Sequence, residues 1–138
     1  MNMFKKNGGF TLVELIVVIA ILAILAGVAI PAYSGYITKA NETADTTELA
    51  AVKTAVQAAL ATKGEVTAIE VASGAIKVTY TTTAGTSATI SDILTDDTTV
   101  GDDFEIFYGS TVPTLKTGDK ATWPASATDS KWKIEKTN

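Results

Sequence analysis

Residues 10–30 read FTLVELIVVIAILAILAGVAI, and Pro31 follows. From Leu15 to Thr38 no side chain carries a charge. A bilayer-spanning helix needs about 20 mostly apolar residues, and this run meets that length. The residues before it, MNMFKKNGG, are short and polar, with Lys5 and Lys6 as their only charges. Positive charge ahead of an apolar span and none just after it predicts a cytoplasmic N-terminus.

Glu14 decides what kind of segment this is. A secretory signal fits the order of Lys and apolar residues, but its apolar region runs only about 7–15 residues. A plain membrane anchor leaves Glu14 without a purpose, because a carboxylate inside a span costs roughly 2.5–3.5 kcal/mol even on the permissive insertion scale. Cleavage between Gly9 and Phe10 accounts for it. The new α-amino group on Phe10 would lie four residues before Glu14 and could pair with the Glu14 of a neighbouring subunit. A buried charge is tolerated when paired, so a carboxylate satisfied only by a second copy is an assembly device.

These residues resemble a known family. Gly9-Phe10-Thr11-Leu12-Val13-Glu14-Leu15, followed by the apolar run to Ile30-Pro31-Ala32-Tyr33, is similar to the N-terminus of type IV pilins and pseudopilins. The resemblance covers residues 8–36, about a fifth of the chain, and its short leader is like that of the type IVa class. It implies that a prepilin peptidase cleaves after Gly9 and N-methylates Phe10, and that Glu14 is the assembly carboxylate. It also implies that Gly27 and Pro31 are a place where the helix breaks when packed in a filament; read from the residues alone, they equally mark the membrane exit. Two features depart from the family pattern. Ala23 stands where many pilins carry a glycine, and the chain has no cysteine to close a C-terminal loop.

Composition narrows the chemistry. The chain has 138 residues and a formal charge of −4, enough for one folded domain. Its 46 % hydrophobic share is an average over an apolar N-terminal part and a polar remainder. The absence of Cys excludes disulfides and thiolate sites, and the absence of His removes the commonest general base and zinc ligand. All eleven basic residues are Lys, and a chain that is acidic and free of Arg is a poor fit to nucleic-acid recognition. No nucleophile–base pair, metal-ligand spacing, phosphate loop or cofactor motif is read, so no enzyme is expected. Cleavage after Gly9 would leave 129 residues with nine Lys against fifteen acids.

Beyond Pro31 the helix is expected to resume. Ile37, Ala40, Ala44, Leu49, Val52, Val56, Ala59 and Leu60 recur mostly at spacings of three and four, an amphipathic stripe. Gly64 is the expected C-cap, with Lys63 in the last turn. Tyr33 and Tyr36 suit a membrane–water interface. The predicted organisation is a leader at 1–9, a membrane and filament-core helix at 10–36, an amphipathic half at 37–63 and a β head at 64–138. In the head, residues 75–81 alternate with period two and read as a strand. Residues 104–108 and 131–135 are read as two more strands, residues 65–71 as a short strand or loop, and residues 91–94 as one helical turn. The fold class is therefore α+β: a long helix packed on a small antiparallel sheet.

Three further groups receive structural readings. Asp92, Asp96, Asp97, Asp102 and Asp103 form an acidic cluster whose spacing matches no EF-hand, so a solvated loop is preferred to a Ca²⁺ site. Trp123 and Trp132 are assigned to packing in preference to adhesion. Lys131, Lys133 and Glu135 are assigned to the solvent face of a strand. By resemblance, the expected role is the major structural subunit of a type IV pilus, a fimbrium used in adhesion, twitching motility or DNA uptake. Its expected partners are copies of itself, the prepilin peptidase, a pilus assembly ATPase, inner-membrane platform proteins and, before assembly, the membrane. A pseudopilin of a type II secretion or competence system is the alternative, and a membrane-tethered binding domain is a third class.

Overall fold

A computed structural model describes residues 8–136. Residues 1–7, which are most of the expected leader at 1–9, and residues 137–138 lie outside the described part. The elements are α1 (Leu12–Ala59), β1 (Gly64–Ala72), β2 (Ala75–Thr82), β3 (Ser87–Ile90), α2 (Thr98–Phe107), β4 (Lys120–Trp123) and β5 (Lys133–Glu135). The chain divides into two compact units, Met1–Thr38 and Lys39–Asn138.

In the first unit, helix formation follows from Ala, Leu and Ile, which lose little by becoming helical. Every described side chain through Ala40 is exposed. The helix is long and apolar enough to cross a membrane. It runs unbroken through Gly27 and Pro31. Pro31 has no N–H to donate to the carbonyl four residues earlier, and that carbonyl belongs to Gly27. The two residues thus share one missing helical hydrogen bond.

In the second unit, α1 buries Asp45, Leu49, Val52, Ala55, Val56 and Ala59. Spacings of three and four keep these residues on one face. The expected stripe therefore holds from Leu49 onward, whereas Ile37 and Ala40 are exposed. Gly64 is not a helix cap. It opens β1, and a Cβ there would stand 2.1 Å from the Thr81 carbonyl oxygen of β2. Close backbone approach, not a left-handed conformation, explains the glycine.

The sheet has the order β3-β2-β1-β4-β5, with every neighbouring pair antiparallel. β1 and β2 are joined through Ser73 (φ 52°) and Gly74 (φ 78°). Two positive φ values are the signature of a type I′ hairpin turn, whose twist matches the strands. Strand alternation would bury every second residue, yet Val66, Ile69 and Val71 are all buried in β1. The register shift between Val66 and Ala68 supplies the extra residue. A bulge at Thr67 thus keeps all three apolar side chains on the core face.

The core joins the α1 stripe and Leu60 to Ile69, Ile76, Val78, Ile93, Val100, Phe104 and Ala121. An apolar sheet face is covered here by an apolar helix stripe, as layer packing requires. One further expectation is corrected. Residues 104–108 are not a strand: Phe104 to Phe107 form the end of α2. Asp97 caps that helix by accepting a hydrogen bond from Val100 N, and Val100 and Phe104, four apart, are its buried side. Residues 92–96 close a single α-turn, with Asp96 N donating to Asp92 O, so the helical turn expected at 91–94 is found one residue on.

Candidate functional site

The N-terminal site is built around Thr11. Its side chain accepts a hydrogen bond from Glu14 N (3.2 Å), while Glu14 Oε2 accepts from Thr11 N (2.8 Å) and from the Thr11 hydroxyl (2.8 Å). This reciprocal pattern is a capping box, which satisfies donors that the first helical turn leaves orphaned. The Thr-x-x-Glu spacing ahead of an apolar run signals such a cap, and this reading was missed from sequence. Glu14 Oε1 takes no hydrogen bond among the described residues. Phe10, the other member of the expected assembly pair, is 94 % exposed and directly precedes the cap. Within one chain Glu14 is hydrogen-bonded to Thr11, and no hydrogen bond joins it to Phe10 among the described residues. Gly9 is exposed just ahead of Phe10. Gly27, Pro31, Tyr33 and Tyr36 are all exposed along α1.

Among its described residues the head carries no comparable apolar helix, but it holds several polar anchors. Asp45 is fully buried on α1. Its carboxylate accepts from Lys116 N (2.8 and 3.0 Å), Thr117 N (2.8 Å) and the Thr117 hydroxyl (2.6 Å). Burial pushes its pKa up, but the Thr117 hydroxyl, the two amides and the Lys116 charge outweigh that and hold it below the ordinary carboxylate value. Asp45 was also missed from sequence, because its partners lie some seventy residues away. Lys63 pairs with Asp97 and so ties the turn after α1 to the start of α2. That hydrogen bond, first, and the Val100 amide lower the Asp97 pKa. Tyr108 donates to Glu48 Oε1 at 3.1 Å. Burial and then Glu48 push the Tyr108 hydroxyl up to about 12.

The remaining expected residues are structural in this arrangement. Asp92 and Asp96 accept from the backbone N–H groups of Ser91, Asp92 and Leu94 and from the Thr95 hydroxyl. Both Asp92 oxygens and Asp96 Oδ2 are thus committed to the turn. No group of acids able to hold a metal ion is found among the described residues. Trp123 is half-buried, donates from Nε1 to Ser130 O (2.6 Å) and carries Lys53 Nζ 4.0 Å above its ring. Trp132 packs against the core margin. Lys133 pairs with Glu135 at 3.0 Å, and Lys120 with Glu70 at 2.9 Å.

The described residues hold an exposed, capped helix of membrane-spanning length and a five-stranded antiparallel sheet, which makes the chain α+β. The family model for the prokaryotic N-terminal methylation motif matches residues 4–30. The chain is 50 % identical over 52 residues to a type IV major alpha-pilin and to fimbrial protein Q, both of Moraxella bovis. Those matches cover 38 % of this chain and 33 % of each relative, so it spans about a third of the length of the curated relatives it matches. No solved structure matches the chain. In its N-terminal motif and its α+β fold the chain is similar to the type IV pilins.

Proposed function

We propose that the chain is the major structural subunit of a type IV pilus and has no catalytic role. It enters the cytoplasmic membrane with its N-terminus inside and its head outside. A prepilin peptidase cuts between Gly9 and Phe10 and methylates Phe10. An assembly ATPase and membrane platform proteins then move the subunit into a helical filament whose core is the bundled apolar part of α1. Lipid contacts are exchanged for helix contacts, so apolar burial is roughly conserved. Gly27 and Pro31, which already lack one helical hydrogen bond, are where α1 opens on packing.

The observation that carries this reading is the Thr11–Glu14 cap at the mouth of an exposed apolar helix. In a single subunit the cap satisfies one carboxylate oxygen of Glu14 and leaves the other for a donor. The Phe10 amine of a neighbouring copy supplies that donor and sets the register of the filament. Lone carboxylates are costly in lipid, and paired ones are tolerated.

Replacing Glu14 tests this. Glu14→Gln is expected to insert in the membrane at the wild-type level but to yield few sheared surface filaments. Filament yield equal to wild type from that variant contradicts the role given to Glu14. Wild-type cells that export the processed subunit without long surface filaments favour a secretion or competence pseudopilin.

A further inference from the structure

C-terminal to α1, two large apolar side chains are exposed among the described residues: Ile106 at 76 % and Phe107 at 60 %. They are the last two residues of α2. The side of α2 that serves the core consists of Val100, Gly101 and Phe104, so the fold of the single chain makes no use of Ile106 or Phe107. Asp102 and Asp103 stand four residues before them, one turn away on the same faces of the helix. The surface is therefore an apolar pair bordered by acids. A single exposed apolar residue is ordinary, but an adjacent pair with a charged border is the pattern of a contact surface.

The complement lies in the same chain. Six acids and no Lys fall between Lys77 and Lys116, whereas residues 116–136 contain five Lys. In the edge segment leading through β5, Lys131 and Lys136 are exposed and make no ion pair among the described residues. Trp132 sits beside Lys131, half-buried and flanked by lysine stems that can cover apolar surface. β3 is one edge of the sheet and leads on towards α2; β5 is the other edge. A contact that joins these two different surfaces head to tail is heterologous. It leaves one of each surface free and so propagates.

We propose that the Ile106–Phe107 surface of one copy docks on the edge formed by residues 131–136 of the next. Ile106 and Phe107 meet Trp132 and the lysine stems, and Asp102 and Asp103 meet Lys131 and Lys136. This head contact rests on the filament reading and adds to it a second interface, separate from the one made by α1. Charge at such a border selects the partner and the register more than it adds affinity.

Because the chain has no Cys, engineered cross-linking reads the contact directly. Filaments sheared from cells carrying Phe107→Cys together with Lys131→Cys are oxidised with copper phenanthroline and separated without reductant. A ladder of dimers, trimers and larger species is expected, with each single-cysteine variant remaining monomeric. Filaments that form but stay monomeric overturn the surface and leave the filament reading standing. Dimers from Phe107→Cys alone also overturn it, since they report a two-fold contact. A wild-type strain without filaments overturns both. In a second arm, Asp102→Lys with Asp103→Lys is expected to lower filament yield about tenfold at an unchanged membrane pool, and adding Lys131→Asp with Lys136→Asp is expected to restore it. Loss without restoration, or no loss, counts against the contact.

Discussion

Asp45 shows how much a single buried carboxylate holds. Truncation to Ala leaves the Lys116 and Thr117 amides and the Thr117 hydroxyl without their acceptor. Each orphaned buried donor costs about 1–3 kcal/mol, so Asp45→Ala should lower the thermal midpoint of the detergent-solubilised chain by several degrees. The pH dependence has a definite sign. The Asp45 pKa is lowered in the folded chain. Its stabilisation is therefore complete above the ordinary carboxylate range and drains away as pH falls through the lower folded value. Asp45→Asn should flatten the acid limb of a stability–pH profile, and an unchanged limb would show that the carboxylate is not the titrating group. Nothing near residue 45 announces this role. In sequence it sits among Thr, Glu and Lys, and its partners are brought in only by the fold. Glu14 is the opposite case, because both its oddity in an apolar run and its spacing from Thr11 are local.

At the scale of elements, α2 is the instructive one. Phe-Glu-Ile-Phe-Tyr has the aromatic and β-branched composition of a strand, and periodicity over five residues cannot overrule that. The helix is decided instead by Asp97 capping Val100 N and by the burial of Val100 and Phe104 on one face. Two neighbouring aromatics should then behave differently. Phe104→Ala removes a fully buried ring and should cost about 3–5 kcal/mol in a denaturation titration. Phe107→Ser changes an exposed ring and should alter stability by no more than about 0.5 kcal/mol, with its effect appearing in assembly. Similar losses for both would contradict the orientation of α2. Gly64 gives a third contrast. Gly64→Ala forces a Cβ against the Thr81 carbonyl and should cost about 1–3 kcal/mol, the usual range for overpacking. Strand β2 was legible from the alternation of residues 75–81, whereas residues 65–71, now in β1, read equally as a strand or a loop. The Thr67 bulge was not, because it depends on pairing with β2.

For the whole molecule, the hydrophobic share read at the outset belongs to two different materials. One is the exposed apolar part of α1; the other is a polar head closed by the Leu49–Leu60 stripe, the sheet and α2. The first was legible as an apolar helix from residues 10–31, since length and charge are local quantities, but its Thr11–Glu14 cap was missed. In the head only the sheet was legible in outline, because the Lys63–Asp97 and Tyr108–Glu48 ties join residues far apart in the chain. On the proposed function, residues 1–9 are a leader and Phe10 starts the working subunit. Mass spectrometry of the N-terminal peptide from sheared filaments tests it most directly. The account predicts a peptide that begins at N-methylated Phe10, with Met1 to Gly9 absent. A surface protein that retains Met1, or one whose first residue lies beyond Glu14, would contradict it.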